Sequence, residues 1–181
     1  MNAQPVDSVD RRTIHLPAVL AFGSNLGDRE ATIRAAFADL EATPGIEVTA
    51  TSQLYETIAV KPEGIDPDAP EYLNAVATIR TSLLPEQLLD AVNRIEHEHG
   101  RVRAERWGDR TLDIDIVTFA DVTRDTERLA LPHPRAAERD FVLVPWLEID
   151  PDAMLPGRGR VDALLSAIPG STLRPYAGER R

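Results

Sequence analysis

Two stretches of this chain repeat their apolar residues at steps of three and four, a spacing that calls for helices lying on a shared apolar surface. Ile33, Ala36, Phe37 and Leu40 make the first stripe, on a helix expected from about Arg29 to Ala42 and ended by Pro44-Gly45. Leu88, Ala91, Val92 and Ile95 make the second, which opens near Pro85 with Ser82 as its expected cap and closes at Gly100. Each helix needs a sheet to cover. Pro17 to Phe22 reads as a buried strand and Ile46 to Tyr55 as a second. Tyr72 to Thr81 alternates Leu73, Ala75, Ala77 and Ile79 with Asn74, Val76, Thr78 and Arg80. Thr111 to Phe119 places Leu112, Ile114 and Ile116 on one face and Asp113 and Asp115 on the other.

Strand, helix, strand, strand, helix, strand is the order of a split β-α-β unit, so the fold expected is α+β: a ferredoxin-like sandwich with a mixed, mainly antiparallel sheet and helices on one face. One domain over residues 17–174 is expected, with flexible segments at 1–16 and 175–181. Between Val60 and Pro70 three prolines, a glycine and four charged residues predict an exposed loop without continuous ladder hydrogen bonds. An apolar run from Phe141 to Leu147 and a short helix from Val161 to Ile168 complete the pattern.

Composition excludes several classes of function. The chain has 181 residues and no cysteine, which removes disulfides, thiolate catalysis and Cys-ligated metal sites. Its 20 Lys and Arg against 30 Asp and Glu give a net charge of -10, which repels nucleic acid at long range. The apolar runs are far shorter than the roughly 20 residues of a membrane span. A cytoplasmic monomer, with no nucleic-acid or membrane partner, is the expectation.

Against this acidic background Arg101, Arg103, Arg106 and Arg110 cluster in one polar loop, immediately before the paired aspartates. Asp113 and Asp115 project from one strand face with Cα atoms about 6.5 Å apart. Guanidinium forks match phosphate oxygens, and paired carboxylates suit a hard cation that arrives with substrate phosphates. Taken alone, the same residues also fit a solvated strand face beside surface salt bridges with Glu105 and Asp109. Tyr72 and Asn74 share a strand face and offer a stacking surface beside an amide able to read a heterocycle edge. Trp107 has no periodicity to bury it, and either closes over a ring or anchors its loop. His97 and His99 lie on different sides of a helix, which leaves His133, between Pro132 and Pro134, as the better functional histidine. Gly23 to Asp28 reads as a turn, without the lysine of a P-loop.

Several ordered segments then coincide with one family. They are Phe22-Gly23-Ser24-Asn25-Leu26-Gly27, Tyr55-Glu56-Thr57, Tyr72-Leu73-Asn74-Ala75, Arg106-Trp107-Gly108-Asp109-Arg110-Thr111-Leu112-Asp113-Ile114-Asp115, Leu131-Pro132-His133-Pro134 and Arg139-Asp140-Phe141. From about Ala18 to Pro156 the chain resembles the 6-hydroxymethyl-7,8-dihydropterin pyrophosphokinases of folate biosynthesis.

The resemblance implies a catalytic domain that moves pyrophosphate from ATP to the pterin hydroxymethyl group and releases AMP, with two Mg²⁺ ions. Carried over by motif, Asp113 and Asp115 are the metal ligands, and they share the catalytic role with Arg101 and Arg110. The nucleotide side comprises Glu96, Arg103, Trp107, Arg110, Ile116, Arg128, His133 and Arg139. The pterin side comprises Thr57, Val60, Tyr72, Asn74, Trp107 and Phe141. Asp109 stands where the family usually has proline.

Overall fold

In the computed structural model, residues 14–58, 60–61, 64–65, 70–100, 111–171 and 173–178 are described. The principal elements are β1 (Leu16–Ser24), α1 (Arg29–Glu41), β2 (Ile46–Thr51), β3 (Tyr55–Thr57), β4 (Tyr72–Thr81), α2 (Pro85–Glu98), β5 (Asp113–Phe119), α3 (Asp140–Ile149), α4 (Val161–Ser166) and β6 (Arg174–Pro175). The six strands form one sheet in the order β6-β3-β4-β1-β5, and β2 joins the β3 edge of β4 further along. Each of these pairings is antiparallel. Since β1 and β2 are both antiparallel to β4, they run parallel to each other and need a crossover, which α1 supplies. The split β-α-β arrangement read from the sequence is therefore present.

Local chemistry explains where the helices begin. Asp28 accepts a hydrogen bond from Ala31 N at 3.0 Å and caps α1. At α2 the expected cap, Ser82, is displaced by Leu84, whose side chain has no acceptor to offer. Gln87 Oε1 reaches back to Leu84 N at 2.8 Å and satisfies that orphan donor instead.

Two cores lie on opposite faces of the sheet. On one face Leu20 and Phe22 of β1, with Leu73, Ala75 and Ile79 of β4, pack against Ile33, Ala36 and Leu40 of α1 and Leu88, Val92 and Ile95 of α2. These are the two stripes seen in the sequence. On the other face Val19, Ala21, Val76 and Val117 pack against Val142, Leu143 and Trp146 of α3 and against Val161 at the start of α4. The expectation of helices on one face is thus corrected to helices on both. The run Phe141–Leu147 is apolar all round and carries Pro145 inside the helix, so it shows no stripe that periodicity could detect.

Other boundaries shift for identifiable reasons. The expected strand Ile46–Tyr55 is split: Ser52 N donates to Val76 O at 2.9 Å and Ser52 Oγ accepts from Val76 N at 3.0 Å, which replaces ladder pairing by a side-chain bond. Leu16 belongs to β1, and Arg174 and Pro175 pair with Glu56 and Tyr55, so the sheet exceeds residues 17–174 at both ends. Within the Val60–Pro70 loop, Val60 and Lys61 pair with Ile65 and Gly64, where no ladder was expected. Among the described residues no helix is long and apolar enough to cross a membrane.

The β1–β5 ladder contains one irregularity. Val19 opposes Thr118, but the next residue, Leu20, opposes Ile116, which leaves Val117 as a bulge. Ile116 and Phe119, three residues apart, consequently enter the same core.

The Tyr55 hydroxyl donates to Glu148 Oε2 of α3 at 3.0 Å, which ties β3 to the helix. Burial, then the hydrogen bond and negative charge of Glu148, raise the phenol pKa above its ordinary value. The stability this group contributes is complete below pH about 10, the unfolded value, and is lost as pH rises through the raised folded one. Urea denaturation at increasing pH should show Tyr55→Phe losing less stability above pH ~10 than the parent chain. Equal alkaline slopes would contradict the linkage.

Candidate active site

Sheet register assembles the site before any loop takes part. Tyr55 pairs with Asn74, Asn74 with Gly23, and Gly23 with Asp113, so one row crosses four strands in the order β3, β4, β1, β5. Directly opposed residues share a face. This face is the one that α3 covers further along, because Ala21 and Val76, two residues on, belong to the α3 core. Asp115, opposite Ala21, follows Asp113 on the same side.

At the β4 end of the row Asn74 is 4% exposed and its Nδ2 donates to Thr57 Oγ1 at 2.9 Å. That bond fixes the amide orientation and leaves its oxygen as acceptor. Gly23 lies between this amide and Asp113. A Cβ there would stand 3.8 Å from Asn74 Oδ1 and 3.9 Å from Tyr72 Cδ1, so the glycine keeps a flat floor beside both. The turn predicted to begin at Gly23 actually begins after Ser24, because Gly23 and Ser24 remain paired within β1.

At the β5 end the charges are arranged around Asp115. Arg139 Nη1 donates to Asp115 Oδ2 at 3.0 Å, and His133 Nε2 is 3.6 Å from the same oxygen. His133 N donates to Val117 O at 2.8 Å, and its Nδ1 accepts from Arg135 N at 3.2 Å. An accepting Nδ1 places the proton of the neutral ring on Nε2, facing the aspartate. Burial lowers the His133 pKa; Asp115 opposes this, Arg139 and Arg135 reinforce it, and Asp113 opposes it. The imidazole is therefore a neutral donor at pH 7. Arg139 also lies over Phe141, its Cζ 5.5 Å from the ring centroid, which joins the charged and aromatic walls.

Below the sheet, Glu96 of α2 is 2% exposed, and its Oε1 accepts from Ile114 N at 2.7 Å. It grips the residue between the two aspartates. Ile116, 4% exposed, points into the α2 core, which restricts any nucleotide contact of this residue to its main chain. Arg128 forms its ion pair with Asp90 of α2 rather than with the aspartates. Arg101, Arg103, Trp107 and Arg110 lie outside the described residues, and Val60 is described by its backbone pairing alone.

The donor set can be tested against a cation. Among the described residues no group of three or more His, Asp or Glu side chains is placed to hold a metal. Two carboxylates on one strand face do fit Mg²⁺, which takes one or two protein carboxylates and completes its shell with water and phosphate oxygens. Of the residues singled out in the sequence, Tyr72, Asn74, Asp113 and Asp115 share one sheet face, and His133 and Arg139 come to Asp115. Gly23 lies between Asn74 and Asp113, a glycine inside an otherwise strand-like run, and Glu148 reaches Tyr55 although no local pattern marks it.

A family model for 7,8-dihydro-6-hydroxymethylpterin-pyrophosphokinase (HPPK) matches residues 19–151. The chain belongs to the HPPK family. The match includes each described residue of the site. A 2-amino-4-hydroxy-6-hydroxymethyldihydropteridine pyrophosphokinase of Haemophilus influenzae is 41% identical over 141 residues, 78% of this chain and 86% of the relative. One from Bacillus subtilis is 46% identical over 132 residues, 73% of this chain and 77% of the relative. The folic acid synthesis protein fol1 of Schizosaccharomyces pombe is 37% identical over 161 residues, which are 88% of this chain but 21% of that protein.

Among solved structures, HPPK-DHPS in complex with substrates aligns with a TM-score of 0.62 and 14% identity, over 84% of this chain and 43% of that one. Wild-type Plasmodium falciparum HPPK-DHPS with pterin and p-hydroxybenzoate gives 0.63 and 16%, over 84% and 43%. At that identity the likeness establishes the HPPK fold, and the chain spans less than half of those proteins.

The flat floor at Gly23 generates a direct expectation. Gly23→Ala makes ordinary contacts and should change folding stability by no more than about 1 kcal/mol. Calorimetric titration of the same variant with a hydroxymethylpterin, nucleotide analogue and Mg²⁺ present should show affinity reduced about tenfold or more, roughly the 1.4 kcal/mol of one misplaced methyl group. Unchanged affinity would remove Gly23 from the site.

Proposed function

We propose that the chain transfers the β,γ-pyrophosphoryl group of ATP to the hydroxymethyl oxygen of 6-hydroxymethyl-7,8-dihydropterin and releases AMP, with Asp113 and Asp115 holding two Mg²⁺ ions. Pyrophosphokinase activity on hydroxymethyldihydropterin, in folate biosynthesis, is the function of the HPPK family. The observation that carries the residue-level reading is the row from Asn74 through Gly23 to Asp113, with Asp115, Arg139 and His133 grouped at its end. A ring set edge-on beside Gly23 would meet Asn74 along that edge and direct its hydroxymethyl group toward the carboxylates.

In the step itself the hydroxymethyl oxygen bonds to Pβ, the bond from Pβ to the oxygen it shares with Pα breaks, AMP leaves with that oxygen, and the hydroxyl proton passes to solvent. Asn74 and Thr57 hold the pterin edge, while Tyr72 and Phe141 cover its faces. Bound Mg²⁺ supplies charge withdrawal from the polyphosphate and alignment of the attacking oxygen. Arg139 exchanges its bond to Asp115 for phosphate oxygens, and His133 donates its Nε2 proton to them. Arg101, Arg103, Arg110 and Trp107 are proposed to close over the nucleotide, on the family resemblance of their loop. The protein acts in this reading as a cytoplasmic monomer.

Asp113→Asn and Asp115→Asn keep the shape of each side chain and remove its charge. In an assay of AMP release each should lose about 10³-fold in turnover, near 4 kcal/mol of transition-state stabilisation, with an unchanged circular-dichroism spectrum. Full activity in either variant would refute the ligand assignment. Asp152→Asn, on a side chain 92% exposed, is the control expected to be neutral.

A further inference from the structure

Two arginines lie behind the pterin wall, on the sheet face opposite the proposed site. Glu56 alternates with Tyr55 and Thr57 on β3 and therefore points to the α1 side. Its Oε1 accepts from Arg29 Nη2 of α1 at 3.0 Å, and its Oε2 accepts from Arg174 Nη2 of β6 at 3.0 Å. The same two arginines reach the residue that precedes β4: Arg29 Nη1 donates to Glu71 O at 2.7 Å, and Arg174 Nη2 to Glu71 Oε2 at 2.5 Å. Glu56 and Arg29 are largely buried, with side chains 14% and 18% exposed, so this pair is more than a surface contact. Tyr176 completes the group: its N donates to Leu54 O at 2.9 Å, and its ring centroid is 6.0 Å from Arg29 Cζ.

We infer that Arg174, on the C-terminal strand, is a positioning residue for the pterin side of the reaction. β3 is three residues long and is flanked on its outer side only by the two-residue β6, so little ladder holds it in place. Thr57 nevertheless has to sit where its hydroxyl orients the Asn74 amide, and it follows Glu56 directly. The clasp from Arg174 to both Glu56 and Glu71 locks the two strand ends that carry Thr57 and Tyr72, which oppose each other in the ladder. Arg29, Glu56 and Glu71 fall within the residues matched by the family model, whereas Arg174 lies in the C-terminal segment beyond them. The inference rests on the reading of Thr57 and Asn74 as the pterin edge.

Steady-state kinetics with both substrates varied separately test it, with melting temperature measured alongside. Arg174→Gln should raise the KM for hydroxymethyl-dihydropterin about fivefold and leave kcat and the KM for ATP within about twofold, as expected for loss of one coupled contact. Arg174→Lys should recover part of the loss, and Glu71→Gln should move the same constant in the same direction. Amide exchange at Glu56 and Thr57 supplies a measure independent of turnover, and it should accelerate in Arg174→Gln. An unchanged pterin KM with unchanged exchange, or an equal rise in both KM values, would overturn the inference. Asn74→Ala separates it from its premise. If Asn74→Ala weakens pterin binding while Arg174→Gln is silent, the clasp alone is wrong; if Asn74→Ala is also silent, the pterin-edge reading falls and takes the clasp with it.

Discussion

The single extra residue in β5 decides which face of the sheet Asp113 and Asp115 occupy. Below the bulge at Val117, Phe119 enters the α1/α2 core and Thr118 opposes Val19; above it, Ile116 and Ile114 enter that core and the aspartates face the other way. A regular ladder continued from the Val19–Thr118 pair would oppose Phe22 to Asp115 and drive both carboxylates among Leu20, Leu73 and Ile95. A side-chain period of two makes a one-residue slip a change of face, and burying two unpaired carboxylates is far costlier than one unpaired ladder position. Glu96 secures the result from beneath, since its buried carboxylate binds the amide of Ile114 between them.

Charge follows from this placement. In a chain of net charge -10, Arg139 and the neutral donor His133 are gathered at Asp115, where the proposed polyphosphate would arrive. Arg139 is held by that carboxylate at 3.0 Å and by the face of Phe141, which fixes its guanidinium where an anion would arrive. The neutral His133 adds a donor without adding a second positive charge that Arg139 and Arg135 would repel. Rows of short-range contacts thus set out a site whose long-range field is unfavourable.

Much of this was legible in the residues because it obeys simple periods. The stripes of α1 and α2, the alternation along β4, and Asp113 and Asp115 on one strand face could all be read without coordinates, and the ordered motifs pointed to the HPPK family that the family model matches. What could not be read has no period or no local partner. The Phe141–Leu147 run of α3 is apolar on every side and holds Pro145, so it looked like an undirected run. β6 is two residues long, and its role depends on Glu56, Glu71 and Arg29 from distant parts of the chain. Glu148 acquires its meaning only when α3 brings it to Tyr55. The bulge at Val117 was visible in principle as the three-residue step from Ile116 to Phe119, a break in alternation where the pattern before it was regular.

The proposal stands on the sheet register that turns Asp113 and Asp115 toward divalent ions shared with a polyphosphate, with Asp113 in the same row as the Asn74 amide and Asp115 two residues on. A crystal structure with a non-hydrolysable ATP analogue, Mg²⁺ and the pterin tests it most directly. Divalent cations are expected between the two carboxylates and the polyphosphate, with Arg139 turned from Asp115 onto phosphate and the ring set beside Gly23 with its edge on Asn74. Density for the nucleotide elsewhere, or carboxylates with only water between them and solvent, would contradict it.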